Sequence, residues 1–281
     1  MLISTPRSIE EAKNLIDYTD GFLVGLNGYA RKHLNNLNKN ELEELLSFNK
    51  PVLLRLDNML YDYEIAKYQK LIDEYKNTNI IFYVTDLGMV ELLKENGLIN
   101  RTVYDSQTMV TNKMDAKFYL DLGLNAVGIS SEIPFRDVID SHPEGLFYLV
   151  FGYRMMFTSR RKVVSLYLEH AGLKSNLKDL SLVEATRSDR YPLFEDESGT
   201  AIYRSYLVSL LELIKDSKLK YMLVDSLLID SDKYLMINKI YYKYLKGKLS
   251  LEDALDLIKS LDLNILEGFT FKDSVYQKEE F

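Results

Sequence analysis

Short apolar runs alternate with amphipathic stretches along nearly the whole chain. Residues 2–4, 22–26, 52–56, 80–84, 102–104, 126–129, 147–151 and 221–224 read as strands, and the near-continuous apolarity of 80–84 is what a strand covered on both faces requires. Between them the apolar positions take helical spacing. Ile9, Ala12, Leu15 and Ile16 share one face, as do Ile65, Tyr68, Ile72 and Tyr75. Helices are predicted over 9–18, 40–48, 65–75, 90–94 and 112–122. Local punctuation agrees: Ser8 with Glu11 forms a capping box, Pro51 opens the third strand, and Gly123 ends a helix.

The alternation breaks over residues 152–203, which hold a basic stretch, one helix and a turn-rich acidic stretch. Leu207, Leu210, Leu211 and Ile214 then predict a helix over 203–216. After the eighth strand two helices close the chain, the second capped by Ser250 with Asp253, and the tail 268–281 reads as an added strand or a loose end. The expected fold class is α/β: a single (β/α)8 TIM-barrel-like domain over 1–281, with a long excursion between the seventh and eighth strands. An open doubly wound sheet is the alternative.

Composition narrows the chemistry. The 281 residues carry a formal net charge of −7, which argues against a general nucleic-acid coat while leaving room for a local basic patch. There is no cysteine, so disulfides, thiol nucleophiles, thiolate zinc and a self-held iron–sulfur cluster are excluded. His33, His142 and His170 are not spaced for a shared metal, so neither a metal site nor a cofactor is expected. His142 beside Pro143 reads as loop punctuation, and His33 and His170 as solvated helix residues. No apolar run approaches the ~18 residues of a membrane span, and the first residues lack the basic-then-apolar pattern of a signal peptide. The expectation is a cytoplasmic protein with no membrane contact.

The segment Gly152-Tyr153-Arg154-Met155-Met156-Phe157-Thr158-Ser159-Arg160-Arg161-Lys162-Val163-Val164-Ser165 resembles the signature of peptidase family U32, the collagenase-like proteases. Gly152, Ser159, Arg161 and Ser165 match in register, while Met155 and Lys162 stand where that signature has cysteines. Arg190 to Thr200, with its Tyr-Pro, Glu-Asp and Gly-Thr pairs, resembles a second family segment. Tyr104-Asp105-Ser106-Gln107, Ser131-Glu132-Ile133 and Asp86 with Gly88 resemble further ones. The resemblance implies a (β/α) barrel. It implies either proteolysis or oxygen insertion into RNA bases, including 5-hydroxyuridine at the tRNA wobble position, and into ubiquinone precursors. Oxygenating relatives often hold an iron–sulfur cluster on four cysteines, and some act as paralogue pairs. The expected role is therefore a subunit or accessory of tRNA uridine 5-hydroxylation, with a collagenase-like peptidase or a non-catalytic partner as the alternatives, and the expected partners are a cysteine-containing paralogue and tRNA or a small anionic substrate.

In a barrel, chemistry collects where strands end. Asp57, Asp86, Gln107, Glu132, Arg154 and Asp225 fall there. Glu132 and Asp196 are the expected acid–base carboxylates. Asp86, Gln107, Arg154, Arg160, Arg161 and Asp225 are the expected substrate contacts, with the arginines suited to phosphate or carboxylate. The alternative for each carboxylate is helix capping or pairing with arginine. For the basic stretch it is a solvated helix start balanced by Glu195, Asp196 and Glu197. Tyrosine is abundant at 21, which allows base stacking, but Tyr68, Tyr75, Tyr241 and Tyr242 fall at helical core-edge positions. No His-Glu-x-x-His or Gly-x-Ser-x-Gly motif supports a peptidase.

Overall fold

The computed structural model describes residues 1–34, 36–140, 143–174, 180–186, 188–268 and 270–271. His142 and residues 272–281 of the tail lie outside them. The strands are β1 (Leu2–Ser4), β2 (Gly21–Leu26), β3 (Asn36–Leu37), β4 (Val52–Leu56), β5 (Ile81–Val84), β6 (Thr102–Tyr104), β7 (Ala126–Gly128), β8 (Leu146–Ser159), β9 (Ser181–Val183), β10 (Arg190–Asp196), β11 (Gly199–Ser209) and β12 (Tyr221–Val224). The helices are α1 (Ile9–Leu15), α2 (Lys39–Leu46), α3 (Ile65–Tyr75), α4 (Leu87–Glu95), α5 (Lys113–Asp121), α6 (Phe135–Ile139), α7 (Val163–His170), α8 (Ser231–Leu245) and α9 (Leu251–Ser260).

Eight strands run parallel in the order β12-β1-β2-β4-β5-β6-β7-β8, and β8 pairs back onto β12. The sheet is therefore a closed TIM-like barrel and not an open doubly wound sheet. Successive residues alternate between two cores, as the strand period of two demands. Ile3, Leu23, Leu53, Tyr83, Phe147 and Leu223 pack inside the barrel, while Leu2, Phe22, Leu54 and Phe82 pack outward under the helices. The caps form where the sequence suggests, except that the box at Ser8 closes only on one side, since the Glu11 carboxylate accepts from the Arg7 N–H at 2.6 Å and not from Ser8. Ser8 accepts from Glu11 N–H at 3.2 Å, Ser250 accepts from Asp253 N–H at 3.1 Å, and Gly123 takes a positive φ of 96° just past α5.

The excursion differs from its expected form. β8 does not stop at the barrel rim but runs on to Ser159. Its first half is parallel to β7 and β12, and its second half is antiparallel to β11. Gly152 marks the change, with a φ of 142°; an added Cβ there would lie 2.9 Å from that of Asp225. The helix expected over 203–216 is instead the strand β11 followed by a turn. Residues 199–209 are rich in β-branched and aromatic side chains and have β8 and β10 as partners. The helical spacing arose because Leu207 is buried on the strand while Leu210, Leu211 and Ile214 are buried in the turn after it. Among the described residues no helix is long and apolar enough to cross a membrane.

Candidate functional site

The mouth of the barrel is built by continuing the inward-facing alternation past the apolar interior. Leu53 faces inward, so Arg55 and Asp57 at the next alternate positions face inward too. Gly128 leaves room for Asp105, since an added Cβ would stand 2.6 Å from the Asp105 Cβ and overlap its carboxylate. The result is a cavity of about 110 Å³. Its polar wall includes Arg55, Asp57, Asp105, Tyr203 and Asp225, and its apolar wall includes Leu23, Phe147, Leu149 and Leu223.

Each carboxylate here has its own donors. Asp57 accepts the Arg31 backbone N–H at 3.0 Å and lies 3.8 Å from the Arg31 Nε. Asp105 accepts from the Tyr83 hydroxyl at 2.8 Å and from the Gln107 N–H at 2.9 Å. Burial pushes the Asp105 carboxyl upward against those two bonds, and burial beside Asp105 pushes the Tyr83 phenol well up. Asp225 accepts from the Thr5 hydroxyl at 2.8 Å and from the Ser226 N–H at 2.9 Å.

A second arrangement links this cavity to the hairpin of the excursion. The Tyr203 hydroxyl, on the cavity wall, lies 2.9 Å from His33 Nε2. His33 Nδ1 lies 3.6 Å from Asp196 Oδ2, an electrostatic contact longer than a direct hydrogen bond. The His33 ring stacks on Phe194 at 4.8 Å and its side chain is only 8% exposed. It is thus not a solvated helix residue, because the β10–β11 hairpin folds over it; His170, at the end of α7, is exposed as expected. Burial raises the Tyr203 phenol. This carboxylate–imidazole–phenol arrangement ties the hairpin to the cavity wall.

Burial opposes ionisation of Asp196, but the His33 imidazole and the Ser198 hydroxyl and backbone N–H hold its carboxyl down to about 2. A depressed folded value means a contribution present above the unfolded value of about 3.9 and lost as pH falls through about 2. Asp196→Asn is therefore expected to remove part of the acid sensitivity of stability between roughly pH 4 and pH 2. Urea unfolding at stepped pH checks it; parallel wild-type and variant curves in that window would refute it.

The sequence candidates divide by place. Gln107, Arg154 and Asp225 line the cavity, with Gln107 held at a φ of 67°. Arg154 is buried and donates to the Ser131 carbonyl at 2.9 Å and to the Tyr148 hydroxyl at 3.1 Å. Glu132 is exposed and lines a neighbouring hollow of about 610 Å³ with Arg204 and Tyr206. Asp196 reaches the cavity only through His33 and Tyr203. Asp86 caps α4, accepting from the Gly88 N–H at 2.7 Å. Arg160 donates to the Met59 carbonyl at 2.6 Å and to Glu64 at 2.8 Å, so its partner is Glu64 and not the acidic run 195–197. Arg161 is exposed. Arg31, Arg55, His33, Tyr83 and Tyr203 were not among the candidates, nor was Asp105 outside its family-like segment. Arg55 left a signal, as the one charged residue in the run 52–56.

An iron–sulfur cluster does not fit the residues at the signature positions. The Met155 thioether accepts from an Arg31 guanidinium nitrogen at 2.9 Å, and Lys162 is an exposed amine. A thioether already engaged by a cation and a lysine amine cannot replace thiolates. Among the described residues no group of three or more His, Asp or Glu could hold a metal ion.

The sequence profile of peptidase family U32 matches residues 7–245. The tRNA hydroxylation protein P2 of Bacillus subtilis (strain 168) is 26% identical over 147 residues, covering 45% of this chain and 48% of that protein. The chain thus spans about half the length of this curated relative. A solved structure of the U32 peptidase Mk0906 superposes with a TM-score of 0.49 and 14% identity, covering 79% of this chain and 91% of that one. With a family profile matched from Arg7 to Leu245, the chain belongs to peptidase family U32.

Proposed function

We propose that this protein is a subunit or accessory of tRNA uridine 5-hydroxylation that works without an iron–sulfur cluster of its own. The observation that carries the reading is the similarity to a relative named for tRNA hydroxylation. A surface feature supports it. Tyr61 and Tyr63 stack at 5.5 Å and 17° and are 47% and 78% exposed. Arg160 lies over the Tyr61 ring at 4.9 Å, and the exposed Arg161 and Lys162 follow it in the chain. Exposed aromatic faces beside guanidinium groups suit unstacked bases and phosphate. Because this chain supplies no cluster thiolates, a cysteine-containing paralogue would bring the redox centre. The peptidase reading rests on the family description alone.

The test is mass spectrometry of tRNA nucleosides from a deletion strain. Loss of 5-hydroxyuridine-derived nucleosides is expected, with rescue by the wild-type gene and weaker rescue by Tyr61→Ala/Tyr63→Ala. Unchanged nucleosides in a strain that also lacks other U32 genes would refute the proposal.

A further inference from the structure

We propose that the barrel mouth is a binding site for a small monocarboxylate, with Arg55 as the residue that holds its charge. Arg55 is 4% exposed and lines the cavity. Among the described residues its guanidinium has neither a hydrogen bond nor an ion pair, whereas the other arginines around the mouth are engaged. Arg31 is held by Asp57 and Met155, Arg154 by Ser131 and Tyr148, and Arg160 by Glu64. The Arg55 nitrogens open onto the cavity rather than being sealed in the core, so a guanidinium without a protein partner stands ready to meet an anion that enters there. The cavity carboxylates take their donors elsewhere: Asp57 from Arg31, Asp105 from Tyr83 and Gln107, and Asp225 from Thr5 and Ser226, and none of them bonds to Arg55.

The surroundings select the class of anion. A guanidinium fork matches a carboxylate with two parallel hydrogen bonds. A dianion such as phosphate would face repulsion from Asp57 and Asp225, which disfavours the second charge. Phe147, Leu149 and Leu223 offer an apolar wall for a short hydrocarbon body. A cavity of about 110 Å³ is small, which favours a compact acid over an extended one. This inference rests on Arg55 and the cavity, not on the tRNA reading, so unchanged tRNA nucleosides would leave it standing.

The test is calorimetric titration of the purified chain with acetate, butyrate and benzoate, each against its primary amide, and with inorganic phosphate. At least one carboxylate is expected to bind at least tenfold more tightly than its amide and than phosphate. Arg55→Met is expected to lower that affinity at least tenfold, with Arg55→Lys between. Lys94→Met, an exposed charge on α4, should leave it unchanged. Absence of carboxylate binding, equal binding of acid and amide, tighter binding of phosphate, or full affinity in Arg55→Met would each overturn the proposal. The acid–amide comparison uses the unaltered protein, so it decides even if the Arg55 variants misfold.

Discussion

Asp57→Ala is expected to destabilise the protein by about 3–5 kcal/mol in urea unfolding, among the largest effects of any single change at the mouth. The Asp57 carboxylate is 2% exposed and its partner Arg31 side chain 6% exposed. Removing the carboxylate leaves the Arg31 guanidinium buried with only the Met155 sulfur, and takes the acceptor from the Arg31 backbone N–H. It also leaves a second buried cation, Arg55, on the same cavity. The desolvation already suffered by Arg31 then goes uncompensated, which is why breaking a buried pair is worse than replacing both partners. Two controls separate charge from packing. Asp57→Asn keeps an acceptor for the N–H and should fall between wild type and Asp57→Ala. Adding Arg55→Met to Asp57→Ala removes one of the two uncompensated cations and should restore on the order of 1 kcal/mol. A loss below about 1 kcal/mol in Asp57→Ala would show that water screens this pair as it does surface pairs.

The barrel was legible because its strands are short, apolar and separated by capped helices, so local pattern and tertiary role agree. Ser8, Gly123 and Ser250 act in the fold as their neighbours in sequence suggest. The mouth was only half legible. Gln107, Arg154 and Asp225 stand at strand ends or just past the barrel rim, where chain order alone predicts them. Arg160 could not be placed, since its partner Glu64 lies 96 residues away and is reached only when β8 overshoots the rim. His33 sits in a polar stretch that reads as solvated, and it becomes buried because Phe194 and Asp196 arrive from a hairpin about 160 residues later. Tyr203 was hidden by the accidental helical spacing of four apolar residues. The missed residues are those whose surroundings come from distant segments, and non-local packing is what single-sequence periodicity does not encode.

Gly199→Ala is the second large effect expected, and it tests how the hairpin serves the cavity. Gly199 pairs with Asp196 at the end of β10 and β11 and holds a φ of 111°. An added Cβ would overlap the Ser159 carbonyl oxygen and lie 2.8 Å from the Arg160 backbone. A positive φ costs a non-glycine residue about 1–3 kcal/mol, and a clash with backbone cannot be relieved by a rotamer change, so ~3 kcal/mol or more is expected. The damage should be local, because β1 to β7 share no pairing with this hairpin. Hydrogen exchange is therefore expected to rise in β10, β11 and α7, whose N-terminus Glu195 holds through the Val164 N–H at 2.7 Å and the Ser165 N–H at 2.9 Å, while β1 to β6 stay protected. His33 should lose its cover from Phe194 and its contact with Asp196, and the Tyr203 hydroxyl its fixed partner. Unchanged exchange in the hairpin would mean that β8 bends to admit the methyl group. Exchange rising evenly through the barrel would mean that the excursion is part of the barrel's own cooperative unit and not a cover laid over its mouth.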